Sequence, residues 1–264
     1  MCGIAGYSLD RRSGVDRTLA AQALLAGIAE RGADAVGYAY RESGAMTVGV
    51  HKQRSGASAV LEAVAVPDRT AELLVHVRDY TKGHPTIAAN NHPIRHGSVV
   101  GIHNGIIVND EEIFARSGFA RAEPEMTVDS EAIFALIERR PGEIAVLEEL
   151  RGAMATAWLD ERDPATLHLA RGIGRPLWLG RGRRELFFAS TRAALELVEL
   201  TLRLRLRLGE LREGRVLRVA EGEIAHRARF RPDRSYVEDN VLPAVRAPQE
   251  GASCRERLAA IALA

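Results

Sequence analysis

The sequence predicts an α+β fold built of layered strand groups, with helices falling between the groups rather than alternating with single strands. Three observations predict it. Segments with period-two or short unbroken apolar patterning outnumber those with a helical period. The helical segments separate groups of strands. The second half reads almost wholly as strands joined by turn residues.

The elements follow in order. Cys2 to Ser8 is short, small and apolar, as in a buried strand, and Asp10 to Gly14 is a turn. Asp16 is placed to cap a helix through Ile28, with Leu19, Ala23, Leu24 and Ile28 on its apolar face and Gly32 closing it. Val36–Tyr40 and Met46–Val50 read as strands joined across Glu42-Ser43-Gly44. Ala57–Val64 is expected to be helical and Leu73–Val77 to be a strand. Thr81 to Gly97 is rich in Gly, Pro, Asn and His, a composition that suits a functional loop.

Val99–His103 is a strand, and Asn104-Gly105 is by default a turn. Helices are expected at Asp110–Arg116, at Ser130–Arg139 with Asp129 as cap, and at Ile144–Leu150. Strands are expected at Ala153–Leu159, Thr166–Ala170, Leu177–Leu179 and Leu186–Ala189. Leu200–Leu208 alternates leucine with arginine or threonine, the pattern of a half-buried strand. Val216–Val219 and Glu223–His226 flank a Glu221-Gly222 hairpin turn. Beyond Phe230 the pattern fades, with a short helix expected from Arg255 to Ala264.

Composition sets the bounds. The chain has 264 residues, 46% hydrophobic and 27% charged, enough for a sizeable buried core. A formal net charge of +1 argues against nucleic acid as a partner. Lys52 and Lys82 are the only lysines among 36 basic residues. No apolar run approaches membrane-spanning length, and the start lacks a signal-peptide pattern. With only Cys2 and Cys254, a reducing cytoplasm is the default compartment. The spacing of His76, His84, His92, His96 and His103 fits no zinc template, so no metal is expected.

Cys2 is the residue with the most chemical potential. Met1 is readily removed before a small residue, which would leave a thiol and an α-amine on one terminal residue. That amine, with a reference pKa of roughly 7.7–8.0, is a built-in base. Around it stand six blocks in order. They are Met1-Cys2-Gly3-Ile4-Ala5-Gly6, Arg31-Gly32-Ala33-Asp34-Ala35-Val36-Gly37, and His76-Val77-Arg78 with Thr81 and Gly83. Asn91-His92-Pro93, His103-Asn104-Gly105-Ile106-Ile107 and Asp129-Ser130-Glu131 follow. Arg171, Pro176-Leu177 and Ala189-Ser190 come later.

In these blocks the sequence resembles the class II glutamine amidotransferases, whose glutaminase domain is an N-terminal-nucleophile hydrolase. The resemblance covers roughly residues 1–225 and implies a four-layer αββα sandwich of two antiparallel sheets. It implies that Cys2 attacks the side-chain amide of glutamine and that Asn104 and Gly105 form the oxyanion hole. Arg78, helped by Thr81, takes the substrate carboxylate, and Asp129 takes its ammonium. Arg31 braces the site near Cys2. His92 and His103 are read as structural hydrogen-bonders framing the loop. No cofactor is required.

Each residue also has a plainer reading: a surface ion pair for Arg78, a helix cap for Asp129, a helix end for Arg31-Gly32. Two positions depart from the family. Asp79 stands where an aromatic residue is usual and is expected to pair locally with Arg78. Lys82 stands where sugar-phosphate-linked members often have histidine. The organisation expected is a glutaminase domain over 1–230 and a partly irregular extension over 231–264. Ammonia would then pass to a separate synthase subunit. The alternatives are a stand-alone γ-glutamyl amidohydrolase and a non-catalytic regulatory protein that kept the fold. A homo-oligomer is left open.

Overall fold

A computed structural model describes residues 2–238 and 243–263. The expectations that touch Met1 and Ala264 lie outside the described residues. The unbroken apolar run near the start forms β1 (Gly3–Leu9), buried on both faces. It is a middle strand of a seven-stranded antiparallel sheet, ordered β11-β9-β10-β1-β4-β2-β3. Its other members are β2 (Ala35–Glu42), β3 (Gly49–Gln53), β4 (Thr70–Arg78), β9 (Trp178–Arg181), β10 (Glu185–Ala189) and β11 (Arg207–Glu210). A six-stranded antiparallel sheet is ordered β13-β12-β8-β7-β6-β5. It comprises β5 (Ile94–His96), β6 (Val99–Ile107), β7 (Gly152–Asp160), β8 (Leu167–Arg171), β12 (Arg215–Ala220) and β13 (Glu223–Arg229).

Strand alternation divides the core into three. Between the sheets lie Ile4, Leu74, Ile102, Ala155, Leu169 and Phe188. The opposite face of the larger sheet, with Ala5, Tyr7 and Val75, packs on α1 (Arg17–Ile28), α4 (Arg192–Leu202) and α5 (Pro248–Ile261). The outer face of the smaller sheet, with Val99, Met154 and Trp158, packs on α2 (Asp110–Ser117) and α3 (Glu131–Arg139). The four-layer αββα sandwich expected from the resemblance is therefore the fold observed. Away from the site, the buried Arg41 ties the sheets. It pairs with Glu72 at 3.2 Å and donates to the carbonyls of Asp160, Asp163 and Thr166.

Local chemistry explains several boundaries. Asp16 accepts the Leu19 N–H at 2.8 Å and starts α1 as its cap. Glu221 and Gly222, both at positive φ, make the tight turn between β12 and β13. Five expectations need correction. Residues 57–63 form two short 3₁₀ turns, not one helix, and Ile144–Glu149 is likewise 3₁₀. The strand expected at Met46 begins at Gly49, because Tyr40 pairs with Gly49 and Met46 is left exposed. The first part of the leucine–arginine alternation is the end of α4. Thr191 caps that helix, and Ala194, Leu195 and Val198 bury its inner side. The terminal helix starts at Pro248, seven residues earlier than expected, with proline in its first turn.

Candidate active site

Strand parity sets three of the expected residues on facing inner surfaces of the two sheets. Ile4 and Leu74 face the space between the sheets, so Cys2, His76 and Arg78 follow them on that side. On β6, Val100 and Ile102 face the same space from the other sheet, and Asn104 follows them. Cys2 Sγ donates to the Asp79 carbonyl at 3.5 Å. Arg31, buried, donates from Nε to the Cys2 carbonyl at 3.3 Å. Gly3 permits this packing, since a Cβ there would meet Val77, Ile28 and Arg31 within 3.0 Å. Burial pushes the Cys2 thiol up, against the pull of the Asp79 hydrogen bond and the Arg78 charge. The sulfur is thus a thiol, not a thiolate, at neutral pH.

Asn104 and Gly105 do not form a turn. β6 runs through both, with Asn104 opposite Ala155 and Gly105 opposite Met154 on β7. The reason is non-local: residues on either side of the pair bond to the same neighbouring strand. Gly105 has φ +148°, and a Cβ there would lie 1.8 Å from the Ala153 carbonyl oxygen, so only glycine fits. Met154 donates to the Ile173 carbonyl and accepts from Gly172, leaving it no bond to the Gly105 N–H. That amide faces the edge of β6 beyond the end of β5. The Asn104 side chain is buried and its Nδ2 lies 3.5 Å from Ser190 Oγ, which also accepts the Ile4 N–H at 2.9 Å. Its Oδ1 has no hydrogen-bond partner among the described residues.

Asp129 sits on the same edge. Its Oδ2 accepts the Ile107 N–H at 2.7 Å, and Ser130, not Asp129, is the N-cap residue of α3. Burial raises its carboxyl to about 6, with Asp110 adding to the rise. Arg78 is buried and feels the charge of Asp129. It donates to Asn91 Oδ1 at 2.5 Å, to the Lys82 carbonyl at 2.9 Å and to the Gly83 carbonyl. These bonds hold the loop after β4 against the strand. Thr81 is exposed on that loop. Lys82 anchors it to α2 through Asp110 at 2.8 Å and Glu111 at 3.1 Å. Asp79 does not take Arg78 as its ion-pair partner; Arg246 of the extension lies 3.1 Å from its Oδ2.

His103 is a structural hydrogen-bonder, reaching Ser130 Oγ at 2.8 Å and the Ala153 carbonyl at 3.3 Å. His92 is not. Neither ring nitrogen has a partner among the described residues, and the ring stacks on His76 at 4.2 Å. Burial pushes His76 and His103 to about 3 and His92 well below its ordinary value, so all three are neutral at pH 7.

Sequence reasoning assigned no role to Asn91, Ser190 or Arg175, although each lies in or beside a motif block. Arg175 is buried and makes a bidentate pair with Glu238 at 2.9 and 2.6 Å. Its charge reaches Arg31 and His103. The extension therefore holds the surroundings of Cys2 from two sides, through Glu238 and through Arg246. Only the fold could show this, because 63 and 167 residues separate the partners.

Cys2 and Arg78 lie close enough for each to feel the other's charge, and Arg78 feels that of Asp129. Comparison with known proteins bears on the family and the fold. A family model described as a glutamine amidotransferase domain matches residues 76–197. The glutamine–fructose-6-phosphate aminotransferase of Rhizobium meliloti (strain 1021) is 32% identical over 205 residues, covering 74% of this chain and 32% of that protein. That of Vibrio vulnificus (strain YJ016) is 31% identical over 242 residues, 85% of this chain and 36% of that one. The chain thus spans about a third of the length of the curated relatives it matches.

Among solved structures, the glutamine phosphoribosylpyrophosphate amidotransferase of B. subtilis superposes with TM-score 0.65 at 18% identity. The match covers 86% of this chain and 49% of that one. A glutamine aminotransferase class-II domain protein of Silicibacter pomeroyi superposes with TM-score 0.53 at 20% identity, covering 88% of this chain and all of that one. These solved structures share the sandwich described above. Over the matched region this chain carries a glutamine amidotransferase domain of the class II type, and its matched relatives are enzymes.

Proposed function

We propose that this chain hydrolyses the side-chain amide of glutamine to glutamate and ammonia, with Cys2 as nucleophile once Met1 is removed, and passes the ammonia to a separate synthase. One observation carries the reading: strand parity puts Cys2, Arg78 and Asn104 on facing inner surfaces, with Asp129 on the adjoining edge of β6.

The chemistry follows from the groups present. Cys2 Sγ adds to the amide carbon and its proton passes to the Cys2 α-amine. Negative charge gathers on the amide oxygen, where the Asn104 side chain and the Gly105 N–H stabilise it. One such donor typically contributes about 2.7–4 kcal/mol to the barrier. The intermediate collapses with loss of ammonia, which takes up the proton held by the amine. Water then cleaves the γ-glutamyl thioester and restores the thiol. Arg78 holds the substrate carboxylate with its guanidinium hydrogens not committed to the loop, Thr81 adds a hydroxyl, and Asp129 holds the ammonium. Arg31 fixes the Cys2 carbonyl.

The test is intact mass together with glutamate release, for the wild type and Cys2→Ala. The expected result is a mass lacking Met1, slow glutamine hydrolysis, and none in the variant. Equal rates in the two proteins would falsify the nucleophile assignment. Full turnover with no stimulating partner would instead favour a stand-alone amidohydrolase.

A further inference from the structure

One end of the sandwich carries a charge that the fold does not balance. β9 and β11 finish the larger sheet and β12 and β13 finish the smaller one. A cleft of about 460 Å³ lies along these strands, lined by Leu179, Leu211 and Leu217 and rimmed by arginines. Leu179 and Leu217 belong to the core between the sheets, so Arg181 and Arg215, two residues along, face the same side. Arg207 stands opposite Arg181, and Arg227 opposite Leu217. None of these four arginines has a side-chain ion pair or hydrogen bond among the described residues. Glu210, the one acid lining the cleft among the described residues, is held by Arg171 at 2.7 Å.

The register supplies a second observation. Arg207 is directly opposite Arg181 in one sheet, and Arg215 directly opposite Arg229 in the other. Like charges at directly opposed positions weaken strand pairing. A sequence that works against its own sheet at two places beside one cleft suits a site made for something else. The rim cations are spread over four strands and largely exposed, which suits a distributed negative charge better than a single phosphate. β11 and β13 are also the terminal strands of their sheets, with main-chain groups open to another strand.

We propose that this cleft docks an extended acidic segment of a partner protein, its carboxylates meeting the arginines and its intervening apolar side chains meeting the leucine floor. The proposal rests on the reading of this chain as a glutaminase with its synthase in a separate protein. Such a partner needs a docking point that leaves Cys2 free.

The probe is a fluorescein-labelled peptide of alternating glutamate and valine, followed by fluorescence anisotropy on the full chain, with glutamine hydrolysis measured on the same samples. Binding is expected at about 0.05 M salt and is expected to weaken steeply by about 0.5 M. The double variant Arg207→Glu/Arg227→Glu should lose roughly tenfold or more in affinity while hydrolysis is unchanged. Arg207→Glu alone places a carboxylate opposite Arg181, so its melting temperature should hold or rise as peptide binding falls. An arginine with a merely structural role would not give opposite signs. The proposal is overturned if the reversals leave peptide affinity unchanged. It is overturned equally if a lysine–valine peptide binds as well, or if pyrophosphate or anionic vesicles bind these arginines more tightly. Peptide binding without hydrolysis would sink the glutaminase reading alone, and hydrolysis without peptide binding would sink the docking surface alone.

Discussion

The raised carboxyl of Asp129 gives a quantitative handle on substrate capture. A carboxyl at about 6 is nearly all ionised at pH 7.5, but only about one molecule in eleven is ionised at pH 5. If the substrate ammonium binds only the carboxylate, apparent affinity scales with that fraction, and the Kd for glutamine rises about tenfold between those pH values. The measurement is calorimetry of glutamine binding to the Cys2→Ala protein, which removes turnover. At pH 6, about half a proton should leave per glutamine bound, visible as a dependence of heat on buffer ionisation. Asp129→Asn should flatten the profile and lose about 1.5–3 kcal/mol of binding at pH 7.5, the range for a hydrogen bond to a charged group.

Stability carries the opposite sign. The folded carboxyl titrates above its unfolded value of 3.8, so the stability it contributes is complete below about pH 4 and is lost as pH rises through about 6. The loss is about 3 kcal/mol, so Asp129→Asn, which keeps an acceptor for Ile107, should melt higher than wild type at pH 7.5. A Kd that stays flat from pH 7.5 to 5, or normal glutamine binding by Asp129→Asn, would refute the assignment.

Two further outcomes are expected. Gly105→Ala forces a Cβ to within 1.8 Å of the Ala153 carbonyl oxygen at a φ of +148°. Denaturant titration should show at least about 1–3 kcal/mol of lost stability, and glutamate release should fall with it; native behaviour in both assays would remove Gly105 from the site. Arg246→Ala deletes a part-exposed pair, so unfolding should shift by less than about 1 kcal/mol. Hydrolysis should nevertheless slow, because Asp79, whose carbonyl holds Cys2 Sγ, loses one of its tethers; unchanged kinetics would make this contact of the extension a bystander.

Much of this architecture was legible wherever the determining contacts are local. The Asp16 cap, the Glu221-Gly222 turn and the apolar first strand are written in a few neighbouring residues. The resemblance brought Cys2, Arg78, Asn104, Gly105 and Asp129 forward, and parity on β1, β4 and β6 sets three of them, Cys2, Arg78 and Asn104, on facing inner surfaces. What escaped is non-local. Asn104-Gly105 has the chemistry of a turn, and only the pairing of both flanks with β7 overrides it. Ala5 pairs with Ala189, a partner no local pattern announces. α4 carried a readable signal in Thr191 and the spacing of Ala194, Leu195 and Val198, but the stronger period-two run after Leu200 masked it.

The acid–base logic of the site also depends on burial that no residue list reveals. Five histidines lie between positions 76 and 103, and a histidine base for Cys2 would be the ordinary expectation for a cysteine nucleophile. Three of them, His76, His92 and His103, are buried. Two of these take a proton only near pH 3, and the third well below its usual range. A thiol raised by burial needs a base above that range. The residue's own α-amine, with a reference value of roughly 7.7–8.0, meets the requirement without any partner side chain. The fold thus turns these three histidines into neutral packing and hydrogen-bonding groups. On the mechanism proposed above, proton transfer is then left to the one base that travels with Cys2, and removal of Met1 is the step that would switch the chemistry on.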